Sequence, residues 1–295
     1  MTKSTTTISP ELKKSGMVTL VGRANVGKST LLNTLVGTKL AITTPKPQTT
    51  RQVIQGVLNV PQGQAVFIDT PGYFQEKRSP ITPKLNQKII ESLYDINLIL
   101  YIVDPSRQIG PEERYMLSIL RKTKSPKILV INKIDLPEKS LEFLEDYRSL
   151  GEDFDETVEV SALKHKHIKT LIERIFSYLP EGEPLYPPES ITNMDEKFFI
   201  SELIREKIFH TMGDEVPYTT AVEVESVEDK PDILVISAVI LTVSPRYKKM
   251  LIGDHAKKIK EMGSTVRKEL EIIMNRKVYL DLRVEVDKDW ERKFE

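Results

Sequence analysis

Cysteine is absent from this chain of 295 residues. That excludes a disulfide framework, thiolate zinc sites and a cysteine nucleophile. Histidine is scarce: His165, His167, His210 and His255 are too scattered for a His-rich metal site, and none is expected to be a ligand or catalyst. Long apolar runs are missing too. The most apolar stretch, 233–243, has 11 residues, whereas a membrane span needs about 20. Residues 1–15 are rich in Thr, Ser and Lys and lack an apolar h-region, so no signal peptide is expected. Net charge is also lacking, with 43 Lys+Arg against 43 Asp+Glu, which at first sight argues against nucleic acid as a partner. What is present is ordinary for a folded soluble chain: 39% hydrophobic and 29% charged residues, too apolar for disorder. At roughly 100–200 residues per domain, the length suggests two domains.

The first half alternates short apolar runs with helical spacing. Residues 17–21, 64–68, 98–103 and 127–131 read as buried strands, and 157–160 as the last of the set. Helices are expected at 29–36 and 167–178. Continuous rather than alternating apolar strands, interleaved with helices, imply a mostly parallel sheet covered on both faces. Residues 179–195 then hold four prolines and no basic residue, which disfavours helix and central strand and reads as a linker. Beyond it come a helix over 198–212, an alternating strand over 220–227 and a β-branched run over 232–243. A helical stretch over 246–275, broken near Gly253, and strict alternation over 278–286 complete the chain. That α-β-β-α-α-β order describes a three-stranded sheet with helices on one face. The expected division is a tail (1–15), an α/β domain (16–179), a Pro-rich acidic linker (180–197), a smaller α+β domain (198–290) and a second tail (291–295).

Gly22-Arg23-Ala24-Asn25-Val26-Gly27-Lys28-Ser29 fits G-x-x-x-x-G-K-[ST] between a strand and a helix. Its glycines let backbone N–H groups curl around the α- and β-phosphates at a helix N-terminus. Lys28 can reach the β- and γ-phosphates, and the Ser29 hydroxyl can ligate Mg²⁺. Asp69-Thr70-Pro71-Gly72 follows the next strand. Asp69 can hold Mg²⁺ through water, and the Gly72 N–H can sense a γ-phosphate. Asn132-Lys133-Ile134-Asp135 selects the base: the Asp135 carboxylate can accept from N1–H and the 2-amino group of guanine. Adenine would leave it unpaired, a loss that can discriminate by about 10⁴. Asn132 can brace the phosphate loop and reach the base, the Lys133 stem can cover a ring face, and Ser161-Ala162-Leu163 can offer the Ala162 N–H to guanine O6.

In this order the motifs resemble the GTPase switch superfamily. Residues 39–52 then read as the first switch, with Gln48, Thr49, Thr50, Arg51 and Gln52 at its end. Thr50, or alternatively Thr49, is expected to complete the Mg²⁺ shell. Many such switches orient the attacking water with a glutamine after the D-x-x-G glycine. Here that residue is Tyr73, which implies slow or otherwise assisted hydrolysis. In the subgroup that the chain resembles, an asparagine at the position of Asn25 helps to hold K⁺, so turnover stimulated by K⁺ is expected.

Residues 251–259 (LIGDHAKKI) resemble the I-G-x-x-G-x-x-I core of a type II KH domain, whose loop clamps a single-stranded nucleic-acid backbone. A KH domain behind this GTPase, with Gln48-Thr49-Thr50-Arg51 in the first switch and Glu215-Val216-Pro217-Tyr218 before the first KH strand, resembles the Era family from Gly16 to Trp290. The resemblance implies binding of GTP or GDP with Mg²⁺ and binding to the 3′ end of 16S rRNA. It also implies assistance to 30S subunit maturation, and a KH domain repositioned by nucleotide state. The protein is then expected to be monomeric and cytoplasmic, with peripheral association at the cytoplasmic face of the membrane. Gly253, Asp254, His255, Ala256, Lys257 and Lys258 are the expected RNA contacts. The loop departs from the family at Asp254, which sets a negative charge where phosphates pass. It departs again at Ala256, where the family has glycine; a helical conformation there would preserve the loop. The alternative is a KH domain turned protein-interaction module. Charge is distributed unevenly: residues 241–277 carry a net +6 and residues 138–159 a net −7. The zero balance is a cancellation, and the basic excess flanks the proposed RNA loop.

Overall fold

In a computed structural model, residues 13–44, 46, 53–73, 82–213 and 215–290 are described. The chain forms two compact units: among the described residues, 13–38, 53–73 and 83–193 make up the first, and 39–44, 46, 82, 194–213 and 215–290 the second.

The first unit is a six-stranded sheet of order β2-β3-β1-β4-β5-β6. Its strands are β1 (Lys14–Val21), β2 (Ile54–Val60), β3 (Gly63–Asp69), β4 (Leu98–Val103), β5 (Lys127–Ile131) and β6 (Glu156–Glu159). All neighbours run parallel except β2, which pairs antiparallel with β3. The helices are α1 (Lys28–Val36), α2 (Thr82–Glu91), α3 (Pro111–Leu120), α4 (Leu144–Ser149) and α5 (Ile168–Tyr178). The central strands are apolar on both faces because helices cover both; Leu98–Val103 is buried at every position. Their carboxyl ends converge on one edge, where ligands of open α/β sheets bind.

The Pro-rich segment does not hang free. It belongs to the first unit and runs along the outer edge of β2. Val57 N–H donates to Ile191 O (2.9 Å) and Tyr186 Oη to Gln55 Oε1 (2.6 Å). The Gln64 side chain exchanges two hydrogen bonds with the Tyr186 backbone. Proline is compatible with such a strap because an edge needs only some N–H groups to pair, and covering the edge blocks unwanted strand addition.

The second unit contains α6 (Glu196–Thr211), β7 (Thr220–Asp229), β8 (Leu234–Thr242), α7 (Pro245–Ile252), α8 (Lys257–Met274) and β9 (Val278–Val286). The sheet order is β7-β8-β9, antiparallel then parallel. Inward residues such as Ile236, Ile240, Val278 and Val284 pack against Ile204, Ile208, Leu251, Val266 and Leu270 of the helices. The other sheet face is sealed locally by Trp290, 3% exposed, which lies on Ala221, Val239 and Leu241. Its indole N–H donates to Thr219 O (3.2 Å). No described helix is long and apolar enough to cross a membrane.

Candidate nucleotide and RNA sites

The phosphate loop joins β1 to α1, and its peptide planes are fixed from outside. The Gly22 carbonyl accepts from Lys28 Nζ (3.1 Å) and Tyr73 N–H (3.3 Å). The Arg23 carbonyl accepts from Lys28 Nζ (3.0 Å), Ala24 O from Arg107 (3.2 Å), Asn25 O from Lys133 Nζ (2.8 Å) and Val26 O from Asn132 Nδ2 (2.9 Å). The carbonyls of Ala24, Asn25 and Val26 are thus held by side chains from outside the loop, whereas those of Gly22 and Arg23 face Lys28. A peptide N–H points opposite to its C=O, so the amides of residues 25–27 turn toward the concave side, forming an anion-binding nest. Gly27 has φ 100°, and a Cβ there would lie 2.3 Å from Asn132 Nδ2. Only glycine fits.

Lys28 is buried, and burial pushes its pKa down to about 8 against the opposing pull of Asp69. An ammonium held in this way is poised to be relieved by phosphate. Asp69, at the end of β3, is fully buried, and burial pushes its carboxyl up to about 6 despite Lys28 nearby. Its Oδ2 accepts from Ser29 Oγ (2.6 Å), while Oδ1 is buried without a hydrogen-bond partner among the described residues. A buried carboxylate oxygen left unsatisfied beside a serine hydroxyl fits a hard divalent cation such as Mg²⁺. Gly72 is set by close approach: a Cβ there would lie 2.6 Å from Ala24 Cα. Tyr73 is 7% exposed, its ring stacked on Tyr115 rather than standing free.

Gly27, Thr30, Asn132, Lys133, Asp135, Leu136, Ala162 and Leu163 line one cavity of about 160 Å³. Sequence-predicted residues far apart in the chain therefore meet, since β5 and the loop after β6 lie side by side. Ser161 Oγ donates to Asp135 Oδ1, orienting the carboxylate. Asn132 does double duty, bracing Val26 through Nδ2 and accepting the Ala162 N–H through Oδ1 (3.0 Å). The Ala162 amide therefore faces Asn132, where the sequence directs it at guanine O6. Lys133 is pinned by Asp104 (2.6 Å). Asp104 and Arg107, which hold Lys133 and the Ala24 carbonyl, are positions that the motifs do not reveal; they follow β4, whose apolar run gives only the strand. Gln48, Thr49, Thr50, Arg51 and Gln52 lie outside the described residues.

In the second unit, α7 and α8 are joined through Gly253-Asp254-His255-Ala256. Ser244 caps α7 by accepting the Tyr247 N–H (3.3 Å). At Gly253, φ is 71° and a Cβ would come within 2.8 Å of the Lys258 side chain. His255 (φ 46°) and Ala256 (φ 60°, ψ 23°) are both left-handed. The helical conformation expected for Ala256 is therefore corrected: the loop keeps a shape suited to glycine and forces alanine into it. The 18-residue α8 presents its N-terminus to the loop, with Lys257, Lys258 and Lys260 exposed around it. Asp254 is exposed, and Lys257 lies 4.0 Å from Glu261. The loop thus offers helix-end amides and lysines to an anion, with one carboxylate among them.

Comparison with known proteins agrees with this arrangement. Residues 17–133 match the model of the 50S ribosome-binding GTPase family, and residues 215–291 that of the KH domain. The chain is 42% identical to GTPase Era of Thermoanaerobacter sp. (strain X514) over 289 residues, covering 94% of this chain and 92% of that protein. It is also 42% identical to GTPase Era of Carboxydothermus hydrogenoformans, covering 95% of each. Two crystal structures are similar over 95% of this chain and 96% of theirs at 37% identity. One is an Aquifex aeolicus Era variant bound to GDP and AlF4⁻ (TM-score 0.88), the other Era with MgGDPNP and nucleotides 1506–1542 of 16S ribosomal RNA (TM-score 0.89). With the GTPase motifs assembled on one domain and a KH domain behind it, the chain belongs to the Era family of GTPases.

Proposed function

We propose that this GTPase is a switch that binds the 3′ end of 16S rRNA through its KH domain and assists maturation of the 30S subunit. The observation that carries the RNA part is the loop 253–256 at the start of α8, ringed by Lys257, Lys258 and Lys260. Backbone phosphates are recognised by such amides and lysines, and sequence by bases laid along the adjoining surface. GTP is held by the nest and by Lys28, with Mg²⁺ on Ser29 and Asp69. K⁺ enters beside Asn25, whose φ of 64° turns the loop. Hydrolysis rates in K⁺ and Na⁺ at matched ionic strength test that step; K⁺ is expected to accelerate, and equal rates exclude it. For RNA, Asp254→Lys is expected to tighten binding of an rRNA 3′-end oligonucleotide. Unchanged affinity would mean that the loop does not touch phosphate. The exposed carboxylate of Asp254 favours one other reading, a KH domain that binds protein; absence of rRNA binding in every nucleotide state would favour it.

A further inference from the structure

We infer that α3 sets the geometry of the two segments facing the γ-phosphate, with Glu113 and Tyr115 as its positioning residues. The first segment is the limb 23–25 of the phosphate loop. Arg23 projects from it to α3, where Nε meets Glu112 Oε2 (2.7 Å) and Nη1 meets Glu113 Oε1 (3.0 Å). Glu113 is 2% exposed, and its other oxygen accepts the Gly110 N–H (2.9 Å) that begins the helix. One carboxylate thus caps α3 and holds Arg23, so the limb is registered to the helix start. Arg107, just before α3, fixes the Ala24 carbonyl of the same limb.

The second segment is Gly72-Tyr73. The Tyr73 ring stacks on Tyr115 with centroids 4.8 Å apart and planes 17° apart. Tyr73 N–H donates to Gly22 O, and Gly72 rests against the Ala24 backbone with no room for a Cβ. The limb and the start of the second switch therefore contact each other, and each is separately held by α3. The residue that commonly orients water is here an anchor: its ring faces α3, and the anchored backbone carries the Gly72 N–H.

Core packing accounts for Tyr73, which shares an apolar cluster with Met116, Leu117 and Leu120 of α3, but not for its partner Tyr115, which is 43% exposed, nor for the charged Glu113. Burying Glu113 opposes folding unless its pairings compensate. Such a polar brace beside the site is explained by positioning, since a displacement of about 1 Å can cost roughly 100-fold in rate.

The test is GTP hydrolysis by the full chain with Tyr115→Ala, Tyr115→Phe and Glu113→Gln, alongside GDP affinity and thermal stability. Tyr115→Ala is expected to lower kcat by about tenfold, with KM and GDP affinity within about twofold. Tyr115→Phe keeps the stack and is expected to retain wild-type kcat. Glu113→Gln preserves a cap acceptor but removes the charge from Arg23, and is expected to lower kcat in the same direction. Wild-type kcat in Tyr115→Ala overturns the proposal. So does a loss of kcat matched by equal losses in GDP affinity and stability, which is the signature of a loosened fold. Failure of Tyr115→Phe to retain activity overturns the stacking account, because the hydroxyl would then be the acting group.

Discussion

Replacing Ala256 with glycine is expected to stabilise the second unit, although glycine at a helix boundary usually does the reverse. Ala256 sits at φ 60°, ψ 23°, immediately before α8. A residue with a Cβ loses about 1–2 kcal/mol there relative to the right-handed region. Glycine relieves that strain, but its unfolded chain is more flexible, which costs about 0.5–1 kcal/mol. The net gain is about 0.5–1 kcal/mol, or about 2–8 °C in the melting temperature of a domain of this size. The assay is urea denaturation followed by tryptophan fluorescence. The chain has a single tryptophan, Trp290, buried against the second unit's sheet, so the signal reports on that unit alone. Ser264→Gly, at an exposed right-handed position within α8, is the control and is expected to destabilise by about 0.5 kcal/mol. If Ala256→Gly destabilises as the control does, Ala256 is right-handed in solution and the strain argument is wrong.

Asp69 yields a pH dependence. Its folded value of about 6 lies above the 3.8 of an unperturbed aspartate. The nucleotide-free fold therefore loses this contribution to stability as pH rises from 3.8 to about 6, and is level above. Mg²⁺ needs the carboxylate, so its affinity is expected to fall roughly tenfold per pH unit below about 6 in calorimetric titration; constant affinity down to pH 5 would refute this. Gly27→Ala should abolish nucleotide binding in equilibrium dialysis, since its Cβ collides with Asn132. Retained affinity would show that the loop rearranges freely. Trp290→Ala removes the cover from Ala221, Val239 and Leu241 and is expected to cost about 3–5 kcal/mol, measured by denaturation followed by circular dichroism. A cost below about 1 kcal/mol would show that the cover contributes little.

The strands of the first unit are legible because a doubly covered parallel sheet writes them as unbroken apolar runs, as in Leu98–Val103. β2 is not legible: IQGVLNV is an edge strand with polar positions, and its partner on the outer side is the strap. Proline density in 179–195 disfavours helix, and α6 begins only at Glu196, two residues inside the expected linker of 180–197. That density says nothing of docking, which depends on the β2 edge about 130 residues earlier. The nucleotide residues are legible because phosphate and guanine chemistry dictates residue types at fixed spacing. The supports at Asp104, Arg107, Glu113 and Tyr115 are ordinary residues whose role arises only when β4 and α3 bring them to the loop. Ala256 shows the same limit, since alanine's helical preference is overridden by a loop that must turn between α7 and α8.

The central claim is that a nucleotide-controlled switch and an RNA-binding KH domain act within one chain. Its most direct test is fluorescence anisotropy of a labelled 16S rRNA 3′-end oligonucleotide, titrated with this protein in MgGDPNP, in MgGDP and without nucleotide. Specific binding is expected, with an affinity that differs between the nucleotide states and weakens as salt rises, as phosphate contacts require. Binding that is absent in all three states, or identical in all three, would contradict the account.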